Sequence, residues 1–307
     1  MENKVYSHIQ KMDTNTQIIL QPFLTHPSTD DWVRDVLLSY FNYFLSIEEK
    51  DEAAARKNLR DALKPLVPAE MRRSLGKMEE FLDDQFRHKG YFFLGGMTGS
   101  HYGPYVWKKT EKRVFEVELP DRREHVNVFF IYEFLLRSWM HFQTFGKHGT
   151  GGWVKRDNAP WEDGLYCVAD AYDIEHLDTD LEFQVSLLKH EAQHFADKTD
   201  FPKLSSIDLE YRAKLVELIY LPDIKYRFVY VVREASPIKA DPHRYASHCI
   251  LQEISTKILG KPYVKDENLW ASVPYEKIQT EAHELLREHT HRLQTNPRNR
   301  KSVINGL

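Results

Sequence analysis

The sequence predicts a mainly helical α+β fold. Apolar residues recur at helical spacing from residue 30 to about residue 90, and the next stretch is rich in glycine, aromatic and β-branched residues. Helical spacing returns near residue 180. This order is typical of an α+β chain with a small, mostly antiparallel sheet. We expect an N-terminal helical region over 1–90, a second domain over 91–295 (β-rich in 91–175, helical in 176–295) and a loose polar tail over 296–307.

Three helices are predicted in the N-terminal region. They cover WVRDVLLSYFNYFLSI (32–47), EEKDEAAARKNLRDAL (48–63) and AEMRRSLGKMEEFLDDQFRHK (69–89). Pro65 and Pro68 separate the second helix from the third, and Gly90 is a C-terminal stop. Four large apolar side chains at helical spacing are assigned to the core and to no chemistry, namely Trp32, Leu37, Phe41 and Phe44.

The predicted strands lie in the β-rich stretch. RVFEVEL (113–119) and HVNVFFIY (125–132) flank the turn sequence PDRRE, so an antiparallel pair is expected. A third strand, GLYCVADAY (164–172), precedes the helices that carry the candidate site.

Four helices are predicted after residue 180. They cover 181–198, 205–221, 241–260 and 274–294, and KYRFVYVV (225–232) is read as a strand between the second and the third. Ser205 with Asp208 forms a capping signal for the second helix, and Asp241 followed by Pro242 is a start signal for the third.

Composition excludes several classes of protein. The net charge of −4 gives no basic excess for a phosphate backbone, so nucleic acid is not an expected partner. No run of about 18 apolar residues suits a membrane helix, and the N-terminus does not resemble a signal peptide, so a cytoplasmic protein is expected. Cys167 and Cys249 are far apart and have no second cysteine at metal-binding spacing, which predicts buried free thiols.

The first helix after residue 180 contains the motif His-Glu-x-x-His. His190 and His194 are four residues apart, so both imidazoles lie on one face of the helix and can bind a single ion. Glu191 follows the first histidine and is placed to act as a general base toward water at an open coordination position. The motif therefore predicts a catalytic zinc site.

These residues resemble the HExxH zinc metallopeptidases, and the helices after them resemble the gluzincin branch. The resemblance covers about residues 180–220 and implies a zincin-like metallopeptidase domain, Zn²⁺ as cofactor, and a peptide or protein as substrate. The Gly-Ala-Met-Glu-Asn signature of the zinc aminopeptidases does not occur, so aminopeptidase specificity is not expected. The alternative is a catalytically inactive zincin that binds zinc and acts as a binding or regulatory module.

A catalytic zinc site needs a third protein ligand. The metzincin position is occupied by Asp200, but Asp197 replaces the turn glycine of that family and no methionine follows the motif. In gluzincins the third ligand is a glutamate on the following helix, which implies Glu210, and Glu217 on the same face stays open as the substitute.

The resemblance also implies a hydrogen-bond donor to the oxyanion that forms when water attacks a peptide carbonyl. His243, Tyr245 and His248 lie on the early turns of the helix that begins after Asp241, and we favour Tyr245 and His248. His289 and His291 are two residues apart and do not share a helix face, so both are expected in solvent.

Overall fold

A computed structural model describes six segments of the chain and five single residues. The segments are 30–48, 52–98, 101–139, 151–154, 162–221 and 224–295, and the single residues are Ser7, Gln10, Lys11, Ser302 and Ile304. The fold is α+β and mainly helical with a small sheet, as predicted, and the sheet is mixed and curled.

Helices account for most of the described residues. They are α1 (Asp31–Glu48), α2 (Glu52–Leu63), α3 (Leu75–His88), α4 (His190–Asp200), α5 (Ser206–Tyr220), α6 (Ile224–Glu234), α7 (Pro242–Leu259), α8 (Glu267–Ser272) and α9 (Tyr275–Thr295). The three expected N-terminal helices are confirmed, and Ser74 caps α3 by accepting a hydrogen bond from the backbone of Lys77. None of the described helices has the length and apolar character that crossing a membrane requires.

The strands form one five-stranded sheet and one short pair. They are β1 (Phe92–Leu94), β2 (Met97–Thr98), β3 (His101–Tyr102), β4 (Tyr105–Glu118), β5 (Arg123–Leu136), β6 (Gly151–Val154) and β7 (Gly164–Val168). The larger sheet has the order β1-β4-β5-β7-β6, and β2 pairs antiparallel with β3. The expected hairpin is confirmed because β4 and β5 are hydrogen-bonded neighbours joined by a tight turn, in which Leu119 N–H donates to the Arg122 carbonyl.

The chain divides into two compact units. The first comprises 1–112, 129–151 and 166–171, and the second comprises 113–128, 152–165 and 172–307. The long strands β4 and β5 contribute residues to both units.

In the first unit, helices α1, α2 and α3 share a hydrophobic core with β1 and the neighbouring strand segments. Phe93 of β1 stacks on Phe86 of α3, with ring centroids 5.3 Å apart. One buried carboxylate, Glu79, accepts hydrogen bonds from the Tyr40 hydroxyl and from the backbone N–H of Gly96, each at 2.8 Å. The polar group is therefore satisfied within the core.

In the second unit, α5 is the central helix. It packs against α4, α7 and α9, and every residue from Tyr211 to Leu218 is buried. Polar side chains on this stretch must find partners inside the protein because water does not reach them. Lys214, for example, donates to Glu234 at 2.6 Å.

The predicted strand over 225–232 is wrong, because this segment forms helix α6. Valine favours strands in general, but Phe228, Val231, Val232 and Ala235 recur at steps of three, one and three residues and are all buried. This spacing makes one apolar stripe on a helix, which outweighs the strand preference of the individual valines.

The expectation that His289 lies in solvent is also wrong. His289 is only 4% exposed, and its Nε2 lies 2.9 Å from Oδ1 of the fully buried Asp208. Ser302 and Ile304, the two described residues of the predicted loose tail, are bound to Asp208 as well, through the hydroxyl and the backbone N–H respectively. His291 is exposed, as expected, and Cys167 and Cys249 are buried free thiols.

Candidate metal centre

The helix of the HExxH motif begins with an uncommon segment. Residues Glu182–Lys189 form a π-helix that continues directly into α4 at His190. Asp180 caps this segment, since its Oδ1 accepts hydrogen bonds from the backbone N–H groups of Glu182 and Phe183 at 2.9 and 3.1 Å. π-Helical turns concentrate at functional sites.

The second helix of the site, α5, starts where the sequence predicts. Ser205 accepts a hydrogen bond from the backbone N–H of Asp208 at 3.2 Å, which confirms the capping signal. Glu210 is therefore in the first turns of α5, where it faces α4. Ala213, one turn further on, is fully buried.

Three of the predicted ligands come together. One ligand atom from each of His190, His194 and Glu210 lies within 4.8 Å of the other two. His190 Nε2 is 3.5 Å from Glu210 Oε2, and His194 Nε2 is 3.4 Å from Glu210 Oε1. The same nitrogen of each ring thus faces one carboxylate, across a gap of the size that a shared ion requires.

Glu217 has a different position from Glu210. Its Oε1 lies 2.6 Å from Nδ1 of His190, on the ring nitrogen that points away from Glu210. A carboxylate on the second nitrogen of a metal-binding histidine fixes the orientation of the ring and its tautomer. The two glutamates therefore have different positions. Glu210 lies with the candidate ligands, and Glu217 contacts the opposite nitrogen of the His190 ring.

The buried charges of the site depend on one another. Burial opposes the charged form of His190, but the neighbouring carboxylates of Glu210 and Glu217 outweigh it and raise the pKa of His190 to about 10. Burial likewise opposes the charged form of Glu210, but His190, His194 and His243 lower the pKa of Glu210 well below its ordinary value. The site therefore favours anionic carboxylates next to positive charge.

The donor set fits a zinc ion. Two imidazole nitrogens and one carboxylate are a ligand combination found in catalytic zinc sites. Oε2 of Glu210 is buried and receives no aligned hydrogen bond from the described residues, although His243 Nδ1 lies 2.9 Å away. A buried carboxylate oxygen without an aligned donor is costly unless a cation binds it. The residues present are thus those that a zinc ion needs.

Glu191, the predicted general base, is half-buried in the first turn of α4. Its carboxylate forms no ion pair or hydrogen bond within the part of the chain that the structure describes. A general base must be able to accept a proton, and a carboxylate held by a lysine or arginine does so less readily. The environment of Glu191 is compatible with the predicted role.

His243, near the start of α7, lies at the site, although Tyr245 and His248 were the favoured oxyanion donors. Asp241 caps α7 through the backbone N–H of Arg244, and Pro242 is its first residue, as predicted. His243 follows and reaches Glu210, while most of its ring stays exposed. The sequence signal for His243 was its position directly after the helix start at Asp241 and Pro242. A side chain there is covered by the following turn of its own helix but by no preceding turn.

Tyr245 and His248, the two predicted donors, lie elsewhere on α7. Their rings stack on each other with centroids 5.7 Å apart, and His248 also packs against Tyr263. Burial and the positive charge of Lys265 lower the pKa of His248. No described hydrogen bond or ion pair joins either residue to the metal ligands, so their catalytic role remains a prediction.

Comparison with known proteins adds no relative. No protein family, no curated protein and no solved structure matches the chain.

Proposed function

We propose that the protein is a zinc-dependent metallopeptidase, with His190, His194 and Glu210 as zinc ligands. The observation that carries the proposal is the convergence of both imidazole Nε2 atoms on the Glu210 carboxylate, with Glu217 bound to the far side of His190. Catalytic zinc sites combine such a donor set with a histidine whose ring is oriented by a carboxylate.

Glu191 is the proposed general base. Zinc at such a site supplies a Lewis acid and lowers the pKa of water toward neutrality. Glu191 would take the proton from the attacking water and deliver it to the leaving amine, which makes it both base and acid in turn. Its place next to His190 and its lack of a described ion pair support this role.

His243 is the proposed donor to the oxyanion. It borders the ligand group through Glu210 and most of its ring is exposed, so a substrate can reach it. Tyr245 and His248 stay predicted donors for the same role. A fixed donor aimed at the developing negative charge contributes strongly to acyl-transfer chemistry.

The substrate class is a peptide or protein, and the proposed location is the cytoplasm. The alternative is a zincin-like protein that binds zinc without cleaving peptides and serves as a binding or regulatory module. Both have the same ligand set, so only a test of turnover separates them.

The experiment combines metal analysis with one substitution. Purified protein should contain about one zinc per chain, and Glu191→Gln should retain the zinc while losing hydrolysis of a peptide library by a factor of about 100 or more. Glu175→Gln, at an exposed glutamate of the same unit, is the matched control and should keep full activity.

Two results would count against this assignment. If Glu191→Gln cleaves as fast as the wild-type protein, Glu191 is not the base. If the fully metallated wild-type protein releases no product from the library, the binding or regulatory module replaces the peptidase.

A further inference from the structure

The carboxylate of Asp208 is buried near the start of α5 and accepts hydrogen bonds from three parts of the chain. The hydroxyls of Ser205 and Ser302 each lie 2.5 Å from Oδ2. On the other side, His289 Nε2 lies 2.9 Å and the backbone N of Ile304 lies 3.3 Å from Oδ1. Because Asp208 is 0% exposed, water does not reach the carboxylate, and these donors stabilise its charge.

Two of these donors come from a segment beyond α9. We call the segment that carries Ser302 and Ile304 the strap. Ile304 is 3% exposed and lines a small cavity together with Tyr211 of α5 and Leu285 of α9. The strap is therefore attached to two helices of the second unit, by hydrogen bonds to Asp208 and by an apolar side chain.

The attachment point lies next to the proposed metal ligand on α5. Asp208 is the third residue of this helix and Glu210 is the fifth. The first turn of a helix is held weakly, because its backbone N–H groups have no partners within the helix. The strap and His289 hold this turn through Asp208, so they also restrict the position of Glu210. Its carboxylate must stay close to two imidazoles, now 3.5 and 3.4 Å away, to share an ion with them.

We propose that the strap regulates metal binding. When the strap is docked on Asp208 it holds Glu210 in place, and when it is released the zinc affinity of the site falls. The proposal rests on the proposed function, because Glu210 must be a zinc ligand for the strap to act on zinc. Such coupling is reciprocal, so bound zinc in turn holds the strap on the protein. A partner that captures the released strap would therefore lower zinc occupancy.

Ser302 is the position at which one substitution should release the strap. Its hydroxyl donates to Asp208, whereas a glutamate there cannot donate and would bring a second negative charge against a buried carboxylate. Ser302→Glu is therefore the main variant. Ile304→Ala removes only part of the apolar contact and should act in the same direction, less strongly. Gln252→Glu is the matched control, since it adds the same charge at an exposed position of α7.

The first measurement is proteolysis of the zinc-free, full-length protein. Trypsin cleaves the Lys301–Ser302 bond only when the strap is released, because a protease binds its substrate as a detached, extended segment. Each rate is divided by the rate for a synthetic peptide of the same sequence, which corrects for the substituted side chain. The corrected rate should be about 10-fold or more higher for Ser302→Glu than for the wild-type protein, and unchanged for Gln252→Glu.

The second measurement is zinc affinity, by competition with a fluorescent chelator. The zinc affinity of Ser302→Glu should be about 3-fold or more below that of the wild-type protein, and that of Gln252→Glu should equal the wild-type value. By reciprocity, saturating zinc should slow cleavage of the wild-type strap by about the same factor by which Ser302→Glu weakens zinc binding.

Two results would overturn the inference. If Ser302→Glu and Ile304→Ala are both cleaved at the wild-type corrected rate, the strap is not held through Asp208. If Ser302→Glu is cleaved faster but binds zinc as tightly as the wild-type protein, the strap does not position Glu210, and the proposed peptidase function is unaffected. A wild-type protein that binds no zinc would instead overturn the proposed function, and metal analysis shows this before any variant is compared.

Discussion

Helices α4 and α5, together with His289 of α9, carry two buried polar clusters that balance their charges in different ways. The ion-pair cluster consists of Asp197, Asp208, Arg212 and His289. The metal cluster consists of His190, His194, Glu210 and Glu217. In the first, the chain supplies a permanent cation, because the Arg212 guanidinium lies 2.8 Å from Asp197. In the second, two carboxylates face imidazoles, which are positive only when protonated.

The two clusters differ in the source of their positive charge. A buried charge that serves only the fold is paired within the chain, as Asp197 is with Arg212. In the metal cluster, the negative charge of the carboxylates is balanced by a proton on an imidazole or by a bound cation. The two clusters therefore differ in whether their main positive charge can be removed.

The largest effect is expected from breaking the permanent pair. Arg212→Leu leaves Asp197 buried without its cation, and burial already raises the pKa of that carboxyl group. We expect the free energy of unfolding to fall by about 3–5 kcal/mol in urea denaturation. Arg233→Leu removes a partner from an exposed pair with Glu267 and should cost much less. Equal losses in the two variants would contradict the claim that the buried Asp197 carboxylate depends on the Arg212 cation.

The next effect concerns the metal cluster. Glu217→Gln should lower zinc affinity about 10–100-fold, because the residue orients His190 without belonging to the ligand group. Glu210→Gln should lower it further, since a ligand is lost. Competition with a fluorescent zinc chelator measures both, and Glu175→Gln is the control. If Glu217→Gln proves the more damaging change, the roles of the two acids are reversed.

The smallest effect is a pH dependence in the ion-pair cluster. Burial and the positive charge of Arg212 lower the pKa of His289, against the opposing influence of Asp208 and Asp197. His289 therefore binds a proton more tightly in the unfolded chain than in the folded protein. Acidification thus favours unfolding, and the free energy of unfolding falls below about pH 6.5 by at most about 1.4 kcal/mol per pH unit.

His289→Gln removes the titrating group and can still donate to Asp208. Its free energy of unfolding should therefore fall less steeply than that of the wild-type protein between pH 6.5 and pH 5. Urea denaturation at several pH values measures the difference, and parallel curves would contradict the assignment.

Local signals in the sequence predicted much of the site. Ser205 and Asp241 start their helices as expected, and the four-residue step from His190 to His194 puts both rings on one face. Such features depend on neighbours within a few residues, and these are visible in the sequence.

Features that depend on distant partners could not be predicted in this way. His289 is buried because Asp208, 81 residues earlier in the chain, needs a donor. The choice between Glu210 and Glu217 depends on which nitrogen of His190 each one faces, and helical spacing alone puts both on one face of α5. The strand preference of the valines in α6 was outweighed by burial against neighbours such as Trp270.

A crystal structure of the zinc-loaded protein, with anomalous data collected on both sides of the zinc absorption edge, tests the ligand assignment. We expect one strong peak bonded at about 2.0–2.2 Å to Nε2 of His190, to Nε2 of His194 and to a carboxylate oxygen of Glu210. Glu217 should remain on Nδ1 of His190. A zinc peak bonded elsewhere, or no peak within bonding distance of these three residues, would contradict it.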